Sequence, residues 1–195
     1  MNKKGVNIKK ILFVNACVRP CSRTCLLAQE VLKKLNGQIE EVHLGHEQLS
    51  PLDLELLEKR NQLISSKNFS DPLFRYAAQF AAADEIVIAA PYWDLAFPSI
   101  LRIYLEHVTV VGVTFQYSPD GIPLGLCKAK RIIYVTTAGG PIADRNLGYD
   151  YVKALSDAFY SIPEVLCFQA ENLDIQGADV NGILEDAVLR IKEAL

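Results

Sequence analysis

Two kinds of apolar pattern alternate along this chain. Residues 11–15, 86–95 and 131–137 are apolar on nearly every position, which reads as strands covered on both faces, the mark of a parallel sheet in an α/β protein. Residues 39–44 alternate more and form a second strand that Gly45 ends, and residues 164–169 supply a fifth. Between the strands the apolar spacing turns helical. Leu26, Leu27, Val31, Leu32 and Leu35 share one face, and Val180, Ile183, Leu184, Ala187, Val188 and Ile191 keep a period of 3.6 to the end. Two more helices are expected to face the core: one capped by Ser50-Pro51 and carrying Leu52, Leu56, Leu57, Leu63 and Ile64, the other opened by Asp71-Pro72 with Leu73, Tyr76, Ala77 and Phe80. The alternation predicts a doubly wound α/β fold over residues 1–195 as one domain, with a five-stranded parallel sheet ordered 2-1-3-4-5 and helices on both faces.

Three segments depart from plain alternation. Pro91 lacks a backbone donor, so the third strand is expected to end there and turn out with Tyr92 and Trp93 on the rim. The helix that Phe97-Pro98-Ser99 starts is apolar most of the way round, with Ile100, Leu101, Ile103, Tyr104, Leu105 and Val108 against only Arg102 and Glu106. It should bury a second face, against either a twofold-related copy or a covering loop. The segment that follows centres on Pro119-Asp120-Gly121 and reads as a hairpin inserted before the fourth strand, a ready covering loop. The fourth strand exits into Ala138-Gly139-Gly140, where paired glycines allow a backbone or a ligand ring to approach closely, or simply make a turn. Residues 146–161 should be helical with Tyr151, Leu155, Ala158 and Phe159 on one stripe.

Charge and cysteine usage narrow the function. A net charge of -3 and the lack of any basic cluster argue against a nucleic-acid partner. Residues 1–10 carry four lysines, but no apolar core of signal-peptide length follows and no run is long enough to span a membrane, so a cytoplasmic protein with no membrane partner is expected. Five cysteines, an odd number, fit a reducing compartment. Cys17, Cys21 and Cys25 form C-x3-C-x3-C without a nearby fourth ligand and read as small residues of a loop and first helical turn, and Cys127 and Cys167 as packing residues, so no metal is expected. His43 and His46 read as solvated loop histidines, and His107 as a satisfied interface residue.

Chemistry gathers in three strand-end loops. The loop after the first strand lacks G-x-G-x-x-G and G-K-[ST], which sets dinucleotide and nucleotide-triphosphate sites aside. Ser22, Arg23 and Thr24 stand where a helix begins, so they either bind a phosphate monoester or merely cap the helix. In the order 2-1-3-4-5 the first and third strands meet at the switch point, so this loop, the Tyr92-Trp93 turn and the diglycine turn would share one crevice. A ligand with a phosphate at one end and a flat ring at the other fits it, which describes FMN.

At these residues the chain resembles the flavodoxin-like NAD(P)H-dependent oxidoreductases, in particular the FMN-dependent azoreductase and quinone reductase group. Nearly the whole chain takes part, most specifically Pro91 through Pro98, Gly112 through Tyr117, Gly125-Leu126 and Thr136 through Gly140. The resemblance implies a flavodoxin-like fold, a homodimer with each FMN near the subunit interface, Ser22, Arg23 and Thr24 on the phosphate, Pro91, Tyr92, Trp93, Asp94 and Leu95 along the isoalloxazine, and Thr137, Ala138, Gly139 and Gly140 at its other edge. It also implies a ping-pong hydride relay from NAD(P)H through FMN to a quinone, azo compound or similar planar small molecule. Two departures stand out. Ala16-Cys17 replace the serine usual early in the first loop, and the Tyr and His of animal quinone reductases are not matched, since Arg145, Tyr149 and Tyr151 occur there without a histidine. A flavodoxin-type electron carrier and an FMN-free interaction protein of the same fold are the rival readings; the first is expected to be more acidic and to lack the apolar helix and hairpin.

Overall fold

The computed structural model describes residues 8–195. Of the basic stretch at residues 1–10, the first seven lie outside the described residues. In chain order the elements are β1 (Lys10–Asn15), α1 (Arg23–Leu32), β2 (Gln38–His43), α2 (Leu54–Ser65), α3 (Arg75–Ala82), β3 (Glu85–Ala89), α4 (Ser99–Val108), β4 (Phe115–Tyr117), β5 (Pro123–Gly125), β6 (Arg131–Thr137), α5 (Leu147–Leu155), β7 (Glu164–Ala170) and α6 (Val180–Ala194). Five strands form a parallel sheet ordered β2-β1-β3-β6-β7, which is the order 2-1-3-4-5 expected from the pattern once the β4–β5 hairpin is set apart.

Strand alternation divides the core in two. Leu12, Val14, Ile86, Ile88, Ile132 and Tyr134 point to the side of α3, α4 and α5. Ile11, Phe13, Val87, Ala89, Ile133 and Val135 point to the side of α1 and α6. β3 is buried on every residue because it is central, whereas β2 is an edge strand exposed along its first four residues, which is why its sequence alternates more.

Several expectations are corrected. β3 ends at Ala89, just before Pro91 as expected, but backbone bonding to β6 continues past the proline: Ala90 N donates to Val135 O at 2.9 Å and Tyr92 N to Thr137 O at 3.0 Å. Proline is tolerated because only alternate residues of the strand donate toward β6, and Pro91 falls on the other set. α2 begins at Leu54, capped by Asp53, whose carboxylate accepts from Leu56 N at 2.8 Å, not by Ser50-Pro51. It faces the core less than expected, since none of its residues is buried and Leu54 and Leu57 are exposed.

The second face of α4 is covered mainly by α3 and by the short turns 44–46 and 72–74, with Tyr76 edge-on to Tyr104 at 5.5 Å. The hairpin packs elsewhere. α5 ends in a single π-turn over Ser156–Tyr160, and Phe115 of β4 meets Phe159 there at 4.8 Å. That extra residue in the turn alters the expected stripe, leaving Ala158 exposed and burying Ser156 and Tyr160. His43 and His46 stack on each other with ring centroids 3.9 Å apart; His43 ends β2 and is half-buried rather than a solvated loop residue, whereas His46 is exposed as expected. Among the described residues no helix is long and apolar enough to cross a membrane.

Candidate functional site

The carboxyl end of β1 runs into residues 16–22 and then into α1. Asn15 shapes the exit: its Oδ1 accepts from Cys17 N at 3.0 Å and its Nδ2 donates to Glu41 Oε1 at 2.9 Å. Ser22 is the N-cap, but its hydroxyl accepts from Cys25 N at 3.4 Å, a long and weak bond. The first turn of α1 contains no acid, and its leading amides have no intrahelical acceptor. Two hydroxyls, helix-end amides and a guanidinium therefore meet at one positive helix terminus, a donor set suited to a phosphate monoester. Capping and anion binding are compatible here, because the cap uses only one of the available groups.

Past Pro91 the chain stays beside β6 as far as Tyr92 and then reverses. Ala96 N donates to Trp93 O at 2.8 Å and Trp93 N to Ala96 O at 3.2 Å, while Asp94 and Leu95 have φ of 49° and 71°. This is a two-residue turn of type I′, normally made by Asn-Gly, so Leu95 is held in a conformation that side chains rarely adopt. Tyr92 OH donates to Arg145 O at 3.0 Å, which ties the turn to the segment before α5.

The diglycine turn is supported from behind by the segment after β7. Leu173 N donates to Ala138 O at 3.2 Å, Asp174 N to Gly139 O at 2.9 Å and Asn172 N to Gly140 O at 3.1 Å. A Cβ on Gly139 would meet the Asp174 carboxylate, so the glycine lets that flexible side chain lie over the turn. Gly140 faces open space and makes only a turn. Asp174 Oδ1 in turn accepts from Arg23 Nη1 at 2.8 Å.

These loops enclose one cleft of about 370 Å³. Ser22, Arg23, Thr24, Pro91, Tyr92, Trp93, Thr137, Ala138 and Gly139 line it together. Asp94, Leu95 and Gly140 do not: the first two are exposed in the reversal and Gly140 stands just beyond the lining. Val18, Arg19, Cys21, Leu173 and Asp174 complete the wall. Sequence reasoning did not single out Leu173 and Asp174 because the loop between β7 and α6 carries no periodicity or motif. The same order of strands that places loops at the switch point would have flagged it.

The other residues of interest lie elsewhere. His107 is buried, with Nε2 2.9 Å from Ser50 O, in a separate depression beside Tyr76. Tyr149 OH donates to Val165 O at 3.0 Å, and burial raises its pKa. Tyr151 lies under the Arg102 guanidinium at 4.6 Å. Of the three clustered cysteines only Cys21 lines the cleft; Cys17 is buried, which pushes its thiol up to about 11.

An open α/β sheet with its loops gathered round a crevice at the switch point defines a class of ligand-binding proteins. Comparison with known proteins narrows it. The family model described as a flavodoxin-like fold matches residues 9–195. The FMN-dependent NADH:quinone oxidoreductase 2 of Clostridium acetobutylicum is 32% identical, covering 95% of this chain and 98% of that one. The FMN-dependent NADH:quinone oxidoreductase of Clostridium beijerinckii is 31% identical over the same shares, 95% and 98%. Among solved structures, an azoreductase from Bacillus anthracis superimposes with a TM-score of 0.82 at 22% identity, covering 96% of this chain and 98% of that one. A FMN-dependent NADH-azoreductase from Bacillus anthracis, solved in complex with FMN, gives a TM-score of 0.80 at 21% identity and covers 96% and 97%. The chain belongs to the flavodoxin-like family of FMN-dependent NADH:quinone oxidoreductases.

Proposed function

We propose that this protein binds FMN in the cleft between α1, the turn after β3 and the diglycine turn, and catalyses oxidation of NAD(P)H with reduction of a quinone, azo compound or similar planar acceptor. The observation that carries this reading is the meeting of Thr24, Trp93 and Gly139 in one cavity. Bound FMN supplies the capacity to accept a hydride from one planar partner and deliver it to the next. The chain's own groups bind and orient. Ser22, Thr24 and the first amides of α1 hold the phosphate, and Arg23 contributes charge beside them. Tyr92 and Trp93 give the ring a flat wall; Trp93 is 40% exposed, which leaves an aromatic face for a second planar molecule. Ala138 and Gly139 bring backbone close to the ring's other edge.

Asp174 is the only carboxylate among the residues lining the cleft, and it is neutralised by Arg23, so solvent supplies the proton that accompanies reduction. The odd number of cysteines in the sequence is the ground for placing the protein in a reducing, cytoplasmic setting. Exposed Leu54 and Leu57 on α2, with Ile122 and Leu124 on the hairpin, support a homodimer in which a second copy covers them.

The test uses purified protein. FMN should be taken up in about equimolar amount with quenching of its fluorescence, and NADH or NADPH should be consumed only with a quinone or azo dye present. Protein that leaves the fluorescence of added FMN unchanged would end this reading. Light scattering after size exclusion should return twice the 21.7 kDa chain mass.

A further inference from the structure

We infer that Cys17 and Cys25 form a modification site: hydrogen peroxide joins them in a reversible disulfide that closes the loop assigned to the phosphate. The bond itself stands on this chain's geometry, whereas its effect on the flavin rests on the FMN reading. One side chain brackets the two cysteines: Asn15 Oδ1 accepts from Cys17 N at 3.0 Å, and Asn15 Nδ2 donates to Cys25 Sγ at 3.7 Å. Both pack into the apolar cluster under α1 that holds Leu27, Ala28 and Ala89. Cys17 Sγ donates to Ala89 O at 3.9 Å, and its other polar neighbours are the Ser22 hydroxyl and the N–H and Sγ of Cys25. Cys21, by contrast, is exposed on the cleft wall.

Access sets the order of events. Cys17 is 3% exposed, and burial pushes its thiol up to about 11, against the Ser22 hydroxyl and the Cys25 N–H that favour the anion. Cys25 is half-buried in the first turn of α1, so peroxide meets it before Cys17. Cys25 Sγ attacks one peroxide oxygen, the O–O bond breaks, and a sulfenic acid and one water result. Cys17 Sγ then attacks that sulfur; the S–S bond forms, the S–O bond breaks, and the thiol proton leaves with the hydroxyl as a second water. Two thiols are oxidised as one peroxide is reduced, and in a reducing compartment thiol exchange restores the pair. The ring closed over residues 17–25 contains Ser22, Arg23 and Thr24, the three side chains assigned to the phosphate. Drawing the sulfurs together takes Cys25 from the Asn15 amide and moves its N–H, which holds Ser22 Oγ by a bond of only 3.4 Å. The first turn of α1 shifts with it. The disulfide form should therefore bind FMN about tenfold more weakly, and bound FMN should disfavour the disulfide in the same proportion.

The experiment exposes reduced, flavin-free, full-length protein to hydrogen peroxide and maps its thiols by mass spectrometry before and after dithiothreitol. The native chain should lose two hydrogens without forming a covalent dimer on a non-reducing gel. An unreduced tryptic digest should join the peptide of residues 11–23 to that of residues 24–33, and fragmentation should place the bond at Cys17 rather than Cys21. Cys21→Ser should still form it, while Cys17→Ser should stop at a sulfenic acid on Cys25 that dimedone captures. No linked peptide in the native chain, or a bond mapped to Cys21, overturns the inference whether or not the variants fold. Fluorescence titration then compares the two forms: FMN should bind the disulfide about tenfold more weakly, dithiothreitol should restore binding, and FMN-loaded protein should cross-link more slowly. Equal affinity in both forms overturns the effect on the phosphate loop. A chain that forms the disulfide but takes up FMN in neither form ends the FMN reading and leaves the disulfide standing.

Discussion

Thr24 Oγ1 and Thr137 Oγ1 lie 2.6 Å apart, joining the first turn of α1 to the last residue of β6 across the floor of the cleft. One hydroxyl donates and the other accepts, so a single hydrogen bond sets the separation between the proposed phosphate end and the ring end. Thr24 is 1% exposed, and losing its hydroxyl removes the partner of Thr137. Thr24→Val, which keeps the shape, should therefore cost roughly 0.5–1.5 kcal/mol of stability, the net worth of one hydrogen bond, because half-buried Thr137 can turn to water in the cleft. It should also weaken FMN by about tenfold, through both the lost donor and the loosened helix start. Urea unfolding of the flavin-free protein and a fluorescence titration separate the two effects. Thr24→Ser should restore affinity; a valine variant with native affinity would show that the hydroxyl pair is only structural.

The reversal at Asp94-Leu95 stores strain in the wall that Trp93 belongs to. Leu95, at φ 71°, sits where a branched side chain crowds its own backbone, a cost on the order of 1–3 kcal/mol. Leu95→Gly removes that strain and loses some chain entropy, about 0.5–1 kcal/mol, so a net gain of roughly 1 kcal/mol is expected. Chemical denaturation should show a higher midpoint with an unchanged slope. A lower midpoint would mean that the exposed leucine side chain makes contacts that outweigh its backbone cost.

How far these features could be read in the sequence depends on their physical origin. Buried strands announce themselves through unbroken apolar runs, and the order 2-1-3-4-5 then places the Ser22, Tyr92 and Gly139 loops together; this is why one cleft was foreseeable. The type I′ turn was not, because Asp94-Leu95 carries no glycine or asparagine to signal positive φ. α2 misled for another reason: an amphipathic stripe looks the same whether its own core or another surface covers it. The π-turn was invisible because one added residue per turn changes which residues face inward without changing composition. Tyr92 was foreseen on the rim, but the continuation of the ladder past Pro91 depends on which side of the strand the missing N–H would have faced, a matter of register that only the pairing with β6 decides.

The close seat of the hairpin on the π-turn gives a steric test. Gly125 N donates to Ser161 Oγ at 3.0 Å, and a Cβ on Gly125 would collide with the backbone carbonyl of Tyr160. Backbone cannot give way as a side chain can, so Gly125→Ala must lift β5 or distort the turn. Overpacking of this kind costs about 1–3 kcal/mol. Limited proteolysis should show cleavage appearing near residues 118–122 at the hairpin tip, with a lowered Tm. The same variant should retain FMN affinity within threefold, since the hairpin does not line the cleft. A normal Tm would mean that Tyr160 is more loosely placed than the contact implies.

The far end of the sheet gives a pH test independent of the flavin. Glu85, 6% exposed at the start of β3, accepts from Lys9 Nζ at 2.8 Å and from Arg131 Nη2 at 3.1 Å. Burial alone would raise its pKa, but the hydrogen bonds and charges of Lys9 and Arg131 together outweigh that and hold it below the usual carboxylate value. A carboxylate with a depressed folded-state pKa binds fewer protons folded than unfolded. Its contribution is then complete above the unfolded value, near 4.3, and disappears as pH falls through the lower folded value. Glu85→Gln should lose about 2 kcal/mol at pH 7, the range for charge-assisted hydrogen bonds in a half-open setting. The difference from the native chain should shrink progressively below about pH 4.3. Urea midpoints of both proteins at several pH values would measure it, and a gap that stays constant down to pH 3 would show that the glutamine lacks something other than charge.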